Sequence, residues 1–284
     1  MLYELRSEPD LNQPVLVVAL EGWIDAGLGA GTAVATLLQQ LDTSVVAAFD
    51  ADELLDHRAR RPVMRIENGM NMGLTWPETE LRHGQDAAGR DVLMLVGPEP
   101  DMRWHAFTSA VTGLAEQLGV RLVVGLGAFP APSPHTRPVR LASTATDAEL
   151  AVRVGFVPGA LEVPAGIQGA LEQAFGSKGI PAIGLWARVP HYVAAMPYPA
   201  ASAALLQGLA DLAGLSLDWS ELDSAAALTT NRIDTLIANS AEHTEMVAQL
   251  ETQQDAAEGT FDLGNLPSGD EIAAELERFL RGER

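Results

Sequence analysis

The sequence predicts an α/β fold: a mostly parallel sheet with helices on both faces, continued by a helical C-terminal region. Three observations support this. Continuous apolar runs, rich in β-branched residues, recur at 14–20, 45–49, 91–96, 121–128 and 182–189, as strands buried on both faces do. Stretches with helical spacing separate several of these runs, and strands alternating with helices build parallel sheets. Beyond Gly214 the pattern changes, and helical sequence runs without Gly or Pro from Ser220 to Glu258. An α/β core over 1–215 and a helical region over 216–284 are therefore expected.

Each element has a local signature. Pro14-Val15-Leu16-Val17-Val18-Ala19-Leu20 reads as the first core strand, and Glu21-Gly22-Trp23-Ile24-Asp25-Ala26-Gly27 as the turn after it. Leu28, Thr32, Ala35, Leu38 and Leu41 then mark one face of a helix. Residues 45–49 form the second strand. A run at 62–67, the Asn68-Gly69 turn signal and a return at Leu74-Thr75-Trp76-Pro77 read as a hairpin. After the strand at 91–96, Asp101 is expected to cap a helix reaching Leu118, which Gly119 ends in the left-handed conformation. A strand at 121–128, a Pro-rich turn at 129–138 and a short strand at 139–143 follow. A helix at 167–175, a last core strand at 182–189, a loop at 190–199 and an Ala- and Leu-rich helix at 200–212 complete the core. In the C-terminal region Ser220 and Asp223 resemble a capping box. Leu222, Ala226, Thr229, Ile233, Leu236, Ser240, His243, Val247 and Leu250 form a heptad-like seam weakened by its polar members. Ser268-Gly269-Asp270-Glu271 resembles a second capping box, and Gly282 closes a final helix.

The 284 residues are 47% hydrophobic. That suits one large domain, or one domain with an appendage, burying roughly three quarters of its unfolded surface. With 18 basic and 38 acidic residues the net charge is −20, which repels nucleic acid and anionic membrane. No nucleic-acid partner is expected. The absence of cysteine excludes disulfides, thiol nucleophiles and thiolate metal sites. No apolar run approaches bilayer-spanning length, and residues 1–10 lack the basic start of a signal peptide. A cytoplasmic location is expected.

Charge is segregated in one stretch. Asp50, Asp52, Glu53 and Asp56 follow the strand at 45–49, and Arg58, Arg60, Arg61 and Arg65 come next, with His57 between the groups. This reads either as an internal ion-pair cluster framing a loop or as a polar cleft or partner-docking patch at a strand's carboxyl end. Gly27-Leu28-Gly29-Ala30-Gly31 lies at a strand-to-helix turn. It could cradle phosphate, or it could allow tight helix–sheet packing; it matches neither G-x-G-x-x-G nor Gly-Lys-Ser/Thr spacing. The six histidines form no zincin pair, and no G-x-S-x-G elbow occurs. No metal and no cofactor are expected, and no catalytic motif is recognisable. Three more loops, at 97–104, 134–138 and 185–193, are rich in polar and aromatic residues after strands. In a parallel sheet the carboxyl ends of the strands share an edge. Asp25, Asp50, Asp52, Arg58, Arg61, Arg103, Trp104, His135, Arg137, His191 and Tyr192 are therefore expected to converge on one rim. They would form a ligand cleft or a partner-binding surface there. The alternative is that proline, Arg and Trp simply lock these loops.

These same loops resemble the proteasome assembly chaperone family of the second type, in its actinobacterial branch. The likeness rests on Glu21-Gly22-Trp23-Ile24-Asp25-Ala26-Gly27, Phe49-Asp50-Ala51-Asp52-Glu53, Arg58-Ala59-Arg60-Arg61-Pro62 and Gly97-Pro98-Glu99-Pro100-Asp101. Pro134-His135-Thr136-Arg137-Pro138, Leu185-Trp186-Ala187-Arg188-Val189-Pro190-His191-Tyr192-Val193 and Ser268-Gly269-Asp270-Glu271-Ile272 extend it along nearly the whole chain. The resemblance implies a phosphorylase/hydrolase-like core, a helical appendage, self-association into a homo-oligomer, and a non-enzymatic role in positioning proteins such as proteasome subunits or another protein assembly. A small-polar-ligand-binding protein, or a hydrolase- or phosphorylase-like enzyme, is the alternative. Archaeal relatives engage the proteasome ring through a C-terminal hydrophobic-Tyr-any tail, a pattern from which Leu280-Arg281-Gly282-Glu283-Arg284 departs.

Overall fold

A computed structural model describes residues 2–22 and 24–257. In chain order the strands and helices are β1 (Tyr3–Leu5), β2 (Val15–Glu21), α1 (Gly29–Gln40), β3 (Ser44–Phe49), α2 (Ala51–Leu54), β4 (Val63–Glu67), β5 (Met70–Thr75), β6 (Glu80–Gln85), β7 (Asp91–Pro98) and α3 (Trp104–Gln117). They continue with β8 (Leu122–Ala131), β9 (Leu141–Ala145), α4 (Ala148–Val154), α5 (Ile167–Ser177), β10 (Ala182–Pro190), α6 (Pro199–Ala213), α7 (Ser220–Ile237) and α8 (Ala241–Ala257).

Eight strands form one sheet in the order β1-β3-β6-β7-β2-β8-β10-β9. The central strands β7, β2, β8 and β10 are mutually parallel, while β6 and β9 pair antiparallel at their flanks. Because β3 is antiparallel to β6, it points the same way as the central four. Five strands thus end at one rim, and the sheet is mostly parallel, as the sequence predicts. The two strands it did not reveal, β1 and β6, carry the antiparallel pairing at one side.

Alternation along β2 divides the core. Val15 and Val17 face one layer, with α1, α6 and α7; Leu16 and Val18 face the other, with α3 and α5. All four are 2% exposed or less. Burying a side chain of this size contributes about 1.5–3 kcal/mol. Gly97 shows why the rim needs glycine: its φ is +107°, and a Cβ there would lie 2.1 Å from the Glu78 carbonyl oxygen.

The hairpin at 62–77 is real, with Asn68 and Gly69 both at positive φ (50° and 82°), as a two-residue hairpin turn requires. It stands outside the main sheet as β4 paired with β5. Two helix expectations change. Asp101 does not cap α3, which starts at Trp104 after Arg103 in the left-handed region (φ 59°). Its carboxylate instead accepts from the Asp56 amide at 2.8 Å and from Arg60. The continuous helix expected from Ser220 breaks after Ile237. Asn239 Nδ2 donates to the Thr235 carbonyl (2.8 Å), and Ser240 Oγ accepts from the His243 amide (3.3 Å), so Ser240 starts a new helix. The seam splits with it: Leu222, Ile233, Val247 and Leu250 are buried, whereas Leu236 is 62% exposed. At the start of α7, no Ser220 capping box forms. Trp219 takes the cap position, and Asp218 Oδ1 accepts from the Ser220 amide at 2.9 Å. The expected elements around Ser268 and Gly282 lie outside the described residues.

Candidate functional site

The rim where β2, β3, β7, β8 and β10 end carries the loops singled out in the sequence. Between β3 and β10 the sheet order places five strand steps. At about 4.8 Å per step that is roughly 24 Å. The candidate residues therefore share an edge but divide into a centre and two corners.

At the centre, Asp25 follows β2 and bridges to Ala128 of β8. Its Oδ1 accepts from the Ala30 amide (2.7 Å) and its Oδ2 from the Gly31 amide (2.9 Å). The carboxylate thus occupies the amide donors at the start of α1. Burial pushes the Asp25 carboxyl up, and these backbone bonds oppose the rise. The glycines around it serve packing. A Cβ on Gly29 would meet the Ala128 side chain at 2.9 Å. A Cβ on Gly27 would meet Tyr198 at 2.7 Å, and Gly27 itself has φ 63°. Beside this turn the Glu99 amide donates to the Glu21 carbonyl (2.8 Å), and Glu99 Oε2 accepts from the Ile167 amide at the start of α5 (3.1 Å).

The corner after β3 holds the segregated charges. Asp50 caps α2, its Oδ1 accepting from the amides of Asp52 and Glu53. Asp52 Oδ1 lies 3.0 Å from His57 Nε2, Arg58 pairs with Asp56 (3.2 Å), Arg60 with Asp101 (3.3 Å), and Arg103 with Glu53. Bonds from Arg58 hold the Asp56 carboxyl below its usual value. Trp104 Nε1 donates to the Pro100 carbonyl (2.6 Å), and Arg61 is exposed. Glu53, Asp56, Arg58 and Arg60 so pair within the loop and with Asp101 and Arg103, folding it onto the start of α3. An open cleft of about 510 Å³ remains beside it, with Asp50, Asp52, His57 and Trp76 in its walls.

The corner after β8 and β10 holds His135, Arg137, His191 and Tyr192. His135 is 5% exposed. Tyr192 Oη accepts from the His135 amide (2.9 Å) and lies 2.7 Å from Nδ1, while Nε2 lies 3.0 Å from Asp234 Oδ1 on α7. A carboxylate only accepts, so Nε2 carries hydrogen; in the neutral ring Nδ1 then accepts a hydrogen bond from the Tyr192 hydroxyl. Burial raises the Tyr192 hydroxyl to about 12, with Glu251 and Asp234 adding to the rise. Arg137 reaches α8: Nε and Nη2 donate to Asp255 (2.9 and 2.8 Å), and Nη1 to Glu251 (3.1 Å). His191 is exposed and sets its ring edge against Tyr192 at 5.4 Å. His135 and Arg137 thus fasten α7 and α8 to the sheet's rim.

Sequence reading missed two features. Arg188, half-buried on β10, has its Nε enclosed with no hydrogen-bond partner among the described residues, and burial together with nearby Arg140 lowers its pKa. The second is the hairpin surface. Val63, Met64, Ile66, Met70, Met72, Leu74 and the adjoining Trp76 are each 45% to 70% exposed. Apolar residues alternating with polar ones ordinarily mark a strand face packed on a core, so the sequence does not announce that this face is exposed. Among the described residues no group of three or more His, Asp or Glu is placed to hold a metal ion, and no helix is long and apolar enough to cross a membrane.

Comparison with known proteins gives a consistent result. The model of the PAC2 family matches residues 19–237. A Corynebacterium glutamicum protein of unknown function is 34% identical, with 92% of this chain and 100% of that chain covered and a TM-score of 0.86. A proteasome-assembly chaperone homologue from Mycobacterium tuberculosis is 37% identical, with 82% and 99% covered and a TM-score of 0.76. A PAC2 family protein from Streptomyces avermitilis is 39% identical, with 82% and 99% covered and a TM-score of 0.74. No curated protein matches the chain.

Proposed function

The chain belongs to the PAC2 family, and from that premise we propose that it is a non-enzymatic assembly factor: a cytoplasmic homo-oligomer that binds and positions other proteins, proteasome subunits first among them. The observation that carries this reading is the β4–β5 hairpin. A two-stranded sheet is marginal in water by itself, and monomers rarely display apolar side chains in so contiguous a group. Such a surface is suited to protein contact, and its cross-strand pair Met64–Leu74 is well placed within it. The likeness to a Mycobacterium tuberculosis proteasome-assembly chaperone homologue supports the choice of partner. The engagement of Asp25, His135 and Arg137 by groups of the same chain disfavours a rim-wide cleft for a small polar ligand. In this reading the helical region from 216 onward is an appendage fastened at the rim.

The test uses purified α-type proteasome subunits and the full chain, followed by native mass spectrometry. The reading expects a complex with unassembled subunits and a changed rate of ring formation. Neither complex nor rate change at micromolar concentrations would remove the proteasome as partner.

A further inference from the structure

The cleft beside the ion-paired loop has walls that include Asp50 and Asp52, but no occupant has been assigned to it. It lies between the edge strand β1 and the foot of the hairpin, and holds about 510 Å³. That is far more than one ammonium group needs and is within the range of ligand-sized clefts. Four carboxylates line it: Glu4, Asp50, Asp52 and Glu78. Glu4 is paired with Arg6 at 3.1 Å and Asp52 with His57. Asp50 and Glu78 make no ion pair among the described residues. The cleft therefore has negative charge left over, inside a chain whose net charge is already −20.

A further feature favours a cation. Trp76 is 46% exposed and meets His57 edge-on at 4.9 Å, and an exposed indole face attracts guanidinium or ammonium groups. Arg and Lys side chains carry positive charge and several donors, so they match the unpaired carboxylates and the ring.

We propose that this cleft docks an arginine- or lysine-bearing segment of a protein partner. The inference rests on the assembly-factor reading and names the partner's chemistry at a surface continuous with the hairpin. A protein segment fits better than a free amine because the cleft is far larger than one ammonium group and runs from β1 to Trp76 at the foot of the apolar hairpin.

The probe is a fluorescein-labelled octapeptide of alternating Arg and Ser, with a Glu-Ser octapeptide as its acidic counterpart. Fluorescence anisotropy is read against the full chain at physiological salt. Saturable binding of the basic peptide alone is expected. Asp52→Asn with Glu78→Gln should weaken it about tenfold, since each tenfold step is about 1.4 kcal/mol. Glu242→Gln with Glu245→Gln removes equal charge from exposed positions on α8, and should change binding less than about twofold. Equal weakening by both double variants would reduce the effect to the general field of an acidic protein and overturn the proposal, as would no saturable binding by the wild type. Trp76→Ala gives an independent arm, and unchanged affinity there would also count against the cleft. Light scattering on the same samples separates the two ideas: lost self-assembly appears as a change of mass, a failed cleft only in anisotropy.

Discussion

Asp25 and Asp86 are both carboxylates held by backbone amides, yet they act on stability in opposite senses. Burial pushes Asp25 up despite its bonds to Gly31 and Ala30. Its folded form retains a proton above the unfolded value, so its contribution favours the acid side and fades as pH rises through the folded value. Burial also acts against Asp86, but bonds from the amides of Ser216, Arg90 and Ala88 and from the Arg90 side chain outweigh it and lower its value. Its stabilisation is full above the unfolded value near pH 4 and disappears as pH falls through the lower folded one. Asp86→Asn should therefore cost about 1–3 kcal/mol at neutral pH and flatten the acid limb of a stability-versus-pH curve measured by urea unfolding. An unchanged acid limb would show that Asp86 is not the group responsible. Asp25→Ala should cost about 1 kcal/mol, the usual loss for a helix cap, and Asp25→Asn less, because the amide oxygen still accepts. Equal losses for the two would point away from capping.

At the scale of elements, α7 and α8 are attached by buried Leu222, Ile233, Val247 and Leu250 and by a few well-formed polar contacts. Arg137 holds α8 through Asp255 and Glu251, and His135 holds α7 through Asp234. The linker before α7 is fixed by the Ser216 amide on Asp86 (2.7 Å) and the Asp218 amide on Gln40 (3.0 Å). Arg137→Ala should speed amide exchange in Ala241–Ala257 while leaving β2 and β8 protected. A uniform rise in exchange would mean that α8 opens only with the whole fold. The same elements show what sequence makes legible. The strands β2, β7, β8 and β10 are continuous apolar runs, and burial on both faces demands that pattern. Strand β6, Glu-Leu-Arg-His-Gly-Gln, was hidden because Arg82 and His83 satisfy themselves against Thr43, Glu80 and Asp91 rather than by exposure. The rim residues could be named from their position after strands. Their partners could not: Asp234, Glu251 and Asp255 lie 99, 114 and 118 positions from the residues they bind, and no local pattern announces such pairs. For the same reason the ion-pair reading of 50–65 could be raised from sequence, whereas Asp101 as the partner of Arg60 could not.

At the scale of the molecule, a doubly covered sheet supplies rigidity, and among the described residues the β4–β5 hairpin stands outside it with its apolar side chains exposed. The rim's centre and its corner after β8 and β10 are closed by the chain itself, through Asp25, His135 and Arg137. The hairpin is not, and the assembly reading depends on it. Met64→Lys with Leu74→Glu places opposite charges across the β4–β5 pair, so the hairpin keeps a favourable cross-strand contact while its apolar surface is interrupted. Because both positions are exposed in the single chain, the thermal midpoint of the core should move little. The direct measurement is molar mass by light scattering for the wild type and this variant at micromolar concentration. The account expects at least twice 30.1 kDa for the wild type and a shift toward the single-chain mass for the variant. A wild type that stays at the single-chain mass, or a variant that assembles as the wild type does, would contradict it.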